Sequence, residues 1–181
     1  MHILQFHSKA KQLSLQDSQM YGLPRDAGKL LSNFAPTPVS WRGHRYPTAE
    51  HAFQGAKYLL ATNFPALEKN FREGGQIGMD PAVAKKTGSK EWMKRQKIVL
   101  DVAKWNTVSL AVMKEIIRDK IQKHKIIKDI LRSCHAHGVR LIHFSRWDNM
   151  WGAHVHSDGS IKKGDNRLGN IYNEFAKELG G

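Results

Sequence analysis

Residues Leu31 to Lys57 read LSNFAPTPVSWRGHRYPTAEHAFQGAK, and the second half of this stretch decides how the chain folds. Pro47 and Thr48 mark a helix start, with Thr48 the natural N-cap, and the helix is predicted to run to Leu60. Ala49, Ala52, Phe53, Ala56 and Leu60 supply its buried side. At ~100° per residue, Glu50, Gln54 and Lys57 fall along one stripe of the same helix. Glu50 and Lys57 lie roughly 10 Å apart along the axis, too far for a direct ion pair. Each is therefore available to engage something else, such as a substrate lying along the helix. The alternative is an ordinary solvated polar face.

Working outward, Val39 to Tyr46 reads as a hairpin turning at Arg42-Gly43, with Trp41 and Tyr46 flanking it. Ile3 to Phe6 is a short strand. Lys9 to Gly28 is polar and irregular, and is expected to be a surface insertion. Asp80-Pro81 starts a short helix that Gly88 ends. Ser89 caps the next helix, with Trp92, Val99 and Val102 inward. Asn106 or Thr107 caps a longer one, on which Leu110, Met113, Ile117 and Ile121 form an apolar stripe. Ile126, Ile127, Ile130 and Leu131 close the helical block. Val139 to Phe144 is a buried strand, and Leu168 to Leu179 a final helix with Ile171, Phe175 and Leu179 on one side. All six prolines lie at or before Pro81, so an irregular first half and a helical second half are expected. The fold class is mainly α with a few short β-strands (α+β), in a single domain spanning residues 1–181.

A hydrophobic fraction of 40% and five tryptophans belong to a folded globule. The lone cysteine, Cys134, excludes an internal disulfide and fits a reducing compartment. MHILQFHSKAK at the start is too short in apolar residues for a signal-peptide core or a membrane span. A soluble cytoplasmic protein with no membrane partner follows. The net charge of +13 and pI of about 10.0 attract phosphate in nucleic acid, nucleotides or anionic membranes.

A second polar cluster sits near the C-terminus: Asp148, Trp151-Gly152, then GDNRLG at Gly164 to Gly169. Asn166 is placed to cap the last helix, whose first-turn N–H groups, with Arg167 beside them, then make an anion site. Trp151 either stacks on a base or fills the core. Six Cys and His residues crowd between Cys134 and His156, and HVHSDG at His154 to Gly159 resembles an HxHxD metal core. Gly159 stands where such a core ends in a further ligand, so no metal site is assigned. Walker loop, dinucleotide fingerprint and GxSxG elbow are all missing. Cys134 reads as a buried, inert thiol.

Taken in order, Ser32-Asn33-Phe34, Pro47 to Lys57 (P-T-x-E-H-x-F-Q-x-x-K), Asp148 to Gly152 (D-x-x-W-G) and Gly164 to Gly169 (G-x-N-x-L-G) resemble the YbiA-like, or NADAR, family of N-glycosidases. Two departures stand out. His143 occupies the place where the family pattern has a Glu, five residues before Asp148. The segment between Gly152 and Gly164 is also longer and richer in His and Lys. The resemblance implies a YbiA-like domain that needs no cofactor. It also implies hydrolysis of a bond between ribose and a base nitrogen. The substrate is then a phosphorylated ribosyl compound of riboflavin biosynthesis or an ADP-ribosyl group on guanine, the latter carried on nucleic acid.

Such a reaction develops positive charge on the ribose, which a carboxylate stabilises. Glu50 is the first candidate and Asp148 the second, the latter to position water or a ribose hydroxyl. Lys57 either binds phosphate or attacks the opened sugar aldehyde to form a Schiff base. Ser32, Asn33 and Phe34 line the entrance, His51 and Gln54 contact substrate, Trp151 and Gly152 hold the base, and Asn166 and Arg167 hold phosphate. Both carboxylates are expected to open into one pocket. Two rivals remain: a binding module for ADP-ribose or nucleic acid that has lost turnover, which His143 favours, and a purely electrostatic nucleic-acid binder.

Overall fold

All residues from Met1 to Gly181 are described in the computed structural model, and the chain divides into two compact units. One comprises Met1–Ala35 and His124–Gly181, the other Pro36–Lys123.

The Pro36–Lys123 unit is organised around the predicted helix. A hairpin of β2 (Val39–Trp41) and β3 (His44–Tyr46) pairs in antiparallel register, Val39 opposite Tyr46. Its turn falls on Arg42 and Gly43, both at positive φ, as an Arg-Gly turn between two strands predicts. Helix α3 (Ala49–Ala61) follows, and the Thr48 hydroxyl accepts from the His51 amide at its start. A 3₁₀ helix (Pro65–Phe71), α4 (Pro81–Thr87), α5 (Lys90–Arg95) and α6 (Val102–Lys123) complete the unit. Beneath α3, the Tyr46 hydroxyl meets buried Glu68, which also receives the Arg72 guanidinium at 2.5–3.1 Å. The arginine satisfies a carboxylate that burial alone would penalise. Helix α6 is fixed to the hairpin by the Ser40 amide on Asp119 at 2.6 Å and the Trp41 indole on Glu115 at 2.7 Å.

Several expectations for this unit are corrected. Helix α6 begins at Val102, because Asp101 rather than Asn106 or Thr107 caps it, accepting from the Lys104 amide at 2.9 Å. Val99 and Val102 face solvent, at 65% and 40% exposure, since the turn of chain before Asp101 lies at the surface. Leu110 is also exposed, whereas Met113, Ile117 and Ile121 of the expected stripe are buried, joined by Trp105, Val112 and Ile116.

The other unit is a parallel pair, β1 (Ile3–Phe6) and β4 (Arg140–His143), packed by α7 (Lys125–Ala136) and α8 (Arg167–Gly180). Two such strands leave a free edge, which must find hydrogen-bond partners when buried. Here asparagines of the α8 segment supply them. The Asn173 carboxamide accepts from Leu141 N at 2.9 Å and donates to Leu141 O at 3.0 Å, while Asn166 Oδ1 accepts from His143 N at 2.9 Å. Phe6 sits edge-on to Tyr172, whose hydroxyl donates to Leu31 O. Short strands β5 (His154–Val155) and β6 (Ile161–Lys163) form a hairpin. Within 9–28, expected to be an irregular surface insertion, the chain forms α1 (Leu15–Tyr21), capped by Ser14, and enters α2 (Ala27–Leu30). Ala10, Leu23 and Ala27 of that stretch are buried. Ile126 of α7 is 42% exposed, whereas Ile127, Ile130 and Leu131 are core. The expected helical second half is interrupted between α7 and α8, where the chain carries strands and turns.

Candidate functional site

Glu50 enters the first turn of α3 and is only 8% exposed, so it is no part of a solvated face. Gln54, one turn later, donates from Nε2 to Glu50 Oε1 at 2.8 Å and is itself buried. The amide thus orients the acid. Lys57 continues the stripe, and its Nζ donates to the carbonyl of Gly88 at 2.8 Å. Burial lowers the Lys57 pKa to about 8; Glu50 opposes that shift and Lys90 adds to it. The aromatic Trp105 lies beneath, 5.8 Å from Nζ to ring centroid, and packs on Phe53. The predicted stripe is therefore real, with Gln54 bonded to Glu50 and both acid and amine held by neighbours.

Gly88 makes this possible. Its φ of −84° is ordinary, so the left-handed backbone that usually calls for glycine after a helix is not the reason. A Cβ there would collide with the Gln54 carboxamide. Glycine is needed for close approach.

His51 is fully buried. Its Nδ1 lies 2.9 Å from the Thr48 hydroxyl, and burial lowers its pKa while the Gly78 backbone and Asp80 oppose the shift. At the helix start His51 also ties the N-cap to the loop before α4.

The second cluster lies in the other unit. Asp148 Oδ1 accepts from Met150 N at 3.0 Å and Trp151 N at 2.9 Å, and its own amide donates to Ser145 Oγ at 2.9 Å. This carboxylate closes a turn that fixes Trp151, which is 9% exposed. Gly152 follows because a Cβ would meet Ser145 Cβ at 2.6 Å and His143 O at 3.0 Å. His143 stacks on Phe6 at 5.2 Å, and its Nδ1 lies 3.2 Å from Trp151 O.

Asn166 stands at the N-cap position of α8, but its side chain makes no capping bond there. Its backbone is left-handed, with φ 51°, and its Nδ2 donates to Leu141 O at 3.2 Å and Asn170 Oδ1 at 3.3 Å. The expected anion site is corrected as well. The amides of Asn166, Arg167 and Leu168 donate to the carbonyls of Gly152, Met150 and Trp151, so they do not point outward. Arg167 remains as the cation at this end, 3.5 Å from Asp165. Sequence reasoning placed these residues together without seeing that the D-x-x-W-G turn and the G-x-N-x-L-G segment bond to each other.

Ser32 is buried, and its Oγ accepts from Phe34 N at 3.1 Å in a tight turn that leaves Asn33 and Phe34 half-buried. No group of three or more His, Cys, Asp or Glu is arranged to hold a metal ion, and His156 and Asp158 of the HxHxD segment lie at the surface. Burial pushes the Cys134 thiol up to about 12, which fits the inert reading. No helix is long and apolar enough to cross a membrane.

The NADAR domain family model matches residues 20–180. N-glycosidase YbiA of Escherichia coli (strain K12) is 29% identical over 167 residues, 91% of this chain and 91% of that protein. N-glycosidase YbiA of Shigella flexneri matches to the same extent, 29% over 167 residues. The NMR structure of the E. coli protein YbiA superposes with a TM-score of 0.64 at 24% identity, covering 98% of this chain and 88% of that one, and shows a shared fold.

Proposed function

Because this chain belongs to the NADAR domain family, we propose that it is a hydrolase of N-glycosyl bonds, cleaving between the anomeric carbon of a phosphorylated ribose and a base nitrogen. The observation that carries this reading is the buried Glu50–Gln54 pair on the same helix stripe as Lys57. The C–N electron pair leaves with the base, which gains a proton, and water supplies the oxygen that ends on the sugar. Glu50 stabilises the positive charge that develops on the ribose. Lys57, with a pKa lowered to about 8, has the accessible neutral amine that a Schiff base with the opened sugar aldehyde requires. A phosphate anchor would instead favour a lysine that stays charged.

Asp148 acts in this scheme as a positioning residue for Trp151, and Arg167 meets phosphate, while Asn166 holds the β4 edge. Ser32, Asn33 and Phe34 are proposed to border the substrate entrance. The residues 1–181 are taken as one NADAR domain, because the family match spans both compact units. Two substrates share the required ribosyl phosphate chemistry: ADP-ribose on guanine in nucleic acid, and a ribosylaminopyrimidine phosphate. Offering both side by side and weighing the products by mass spectrometry decides between them. Free base from one alone names the substrate; free base from neither overturns the hydrolase reading.

The rival is a binding module that keeps substrate intact, and His143, where the resemblance leads one to expect a Glu, favours it. A single-turnover assay at protein excess separates the two, since a binder returns the substrate whole.

A further inference from the structure

A cavity of about 530 Å³ lies in the Pro36–Lys123 unit, and none of Glu50, Gln54 and Lys57 lines it. Two of its aromatic residues, Phe64 and Trp92, offer open ring surface, while Tyr58 and Phe71, each 1% exposed, pack on one another at 5.1 Å behind them. Asn70, Gln76 and Gln96 contribute carboxamides, and no carboxylate lines it. Phe64 is 47% exposed, so this ring is open to solvent at the cavity wall. Flat aromatic surfaces with a few amide donors and acceptors suit a planar, hydrogen-bonding ring better than an aliphatic side chain.

The surroundings of the cavity carry strong positive charge. Lys85, Lys86, Lys90, Lys94, Arg95 and Lys97 are all exposed, and Glu91 is the one acid between Pro81 and Ile98. Lys86 Nζ and Arg95 Cζ approach the Trp92 ring to 5.9 and 5.8 Å, so the charge reaches the cavity mouth itself. Stacking rings inside a basic border are the two parts of a single-strand binding surface: rings take bases, and cations follow the phosphates. The placement also joins this cavity to the stripe. Thr87 lines the cavity and accepts the Tyr58 hydroxyl at 2.8 Å, and the next carbonyl, of Gly88, accepts Lys57.

We propose that this cavity receives an unpaired nucleobase of single-stranded nucleic acid, whose phosphates run along the basic face of α4 and α5. The inference rests on this unit alone and does not require the chain to be a hydrolase.

Fluorescence anisotropy with an unmodified, labelled oligothymidylate of about 12 nucleotides tests it, since that probe carries no ribosyl modification to cleave. Binding is expected to weaken between about 50 and 200 mM salt. Trp92→Ala is expected to weaken it about tenfold, and Trp92→Phe to retain most of the affinity. Lys94→Ala with Arg95→Ala is expected to reduce the salt slope by about 1.4, and this pair stands as the test should Trp92→Ala not fold. No binding, tighter binding to duplex than to single strand, affinity unchanged by Trp92→Ala in a folded variant, or an unchanged salt slope in the double variant overturns the proposal. Oligonucleotide binding without hydrolysis of either ribosyl substrate leaves this inference standing while the hydrolase reading falls; hydrolysis without oligonucleotide binding does the reverse.

Discussion

Lys57 Nζ donates to the carbonyl oxygen of Gly88 across 2.8 Å, and the same glycine leaves room for the Gln54 amide that holds Glu50. One peptide unit at the end of α4 therefore sets both the amine and, through Gln54, the acid. Such an arrangement gives a catalytic pair fixed geometry before substrate arrives.

Gly88→Ala tests that dependence. The backbone at this position suits alanine, so the cost falls on the Gln54 side chain, which must leave its place. We expect a modest loss of stability, about 1–3 kcal/mol, as for other overpacking changes. The expected loss of kcat is larger, from about tenfold to 100-fold, because the Glu50 partner is displaced. Urea denaturation and steady-state kinetics measure the two separately. Unchanged kcat in a folded variant removes Gln54 from the scheme.

The Lys57 amine gives a pH dependence. Its folded pKa of about 8 lies below the ordinary 10.5, so Nζ is protonated below pH 8 and neutral above it. Only the neutral amine adds to an aldehyde. Borohydride trapping during turnover should therefore increase as pH rises through about 8, read as a sugar adduct by protein mass spectrometry. Lys57→Met should abolish the adduct. An unmodified mass at every pH assigns Lys57 to phosphate binding instead.

Asp148 is predicted to tolerate Asn. The turn needs an acceptor for the Met150 and Trp151 amides, and an Asn carboxamide oxygen supplies one. Turnover of Asp148→Asn should stay close to wild type, whereas Asp148→Ala should lose about 1–3 kcal/mol through unsatisfied amides. A collapse of kcat in Asp148→Asn, with stability intact, gives this carboxylate a direct part in the chemistry.

Asn166→Ala removes the acceptor of His143 N and a donor to Leu141 O from a fully buried position. It also places alanine at φ 51°, where a Cβ is strained. A loss of about 2–4 kcal/mol is expected by urea denaturation. Retained stability with weakened substrate binding would return Asn166 to the phosphate site.

Local signals carried much of this fold in the sequence. Thr48, Asp80 and Ser89 each cap the helix that follows, and Arg42-Gly43 turns the hairpin, because these features depend on a few adjacent residues. The start of α6 was harder to read, since Asp101 competes with Asn106 and Thr107 as a capping residue and only packing selects among them. The stripe of Glu50, Gln54 and Lys57 was legible from helical spacing. Its burial was not, because the covering residues come from distant segments such as Gly88. The same limit concealed the fate of Asn166, whose partners on β4 lie more than 20 residues away in sequence.

The most direct measurement is the turnover of Glu50→Gln on a ribosyl N-glycoside substrate. The amide retains an oxygen for Gln54 and the shape of the acid, so folding and substrate binding should be preserved. With the negative charge gone, kcat should fall at least ~100-fold. Near-wild-type turnover in a folded Glu50→Gln protein would contradict the assignment of this buried carboxylate to the reacting sugar.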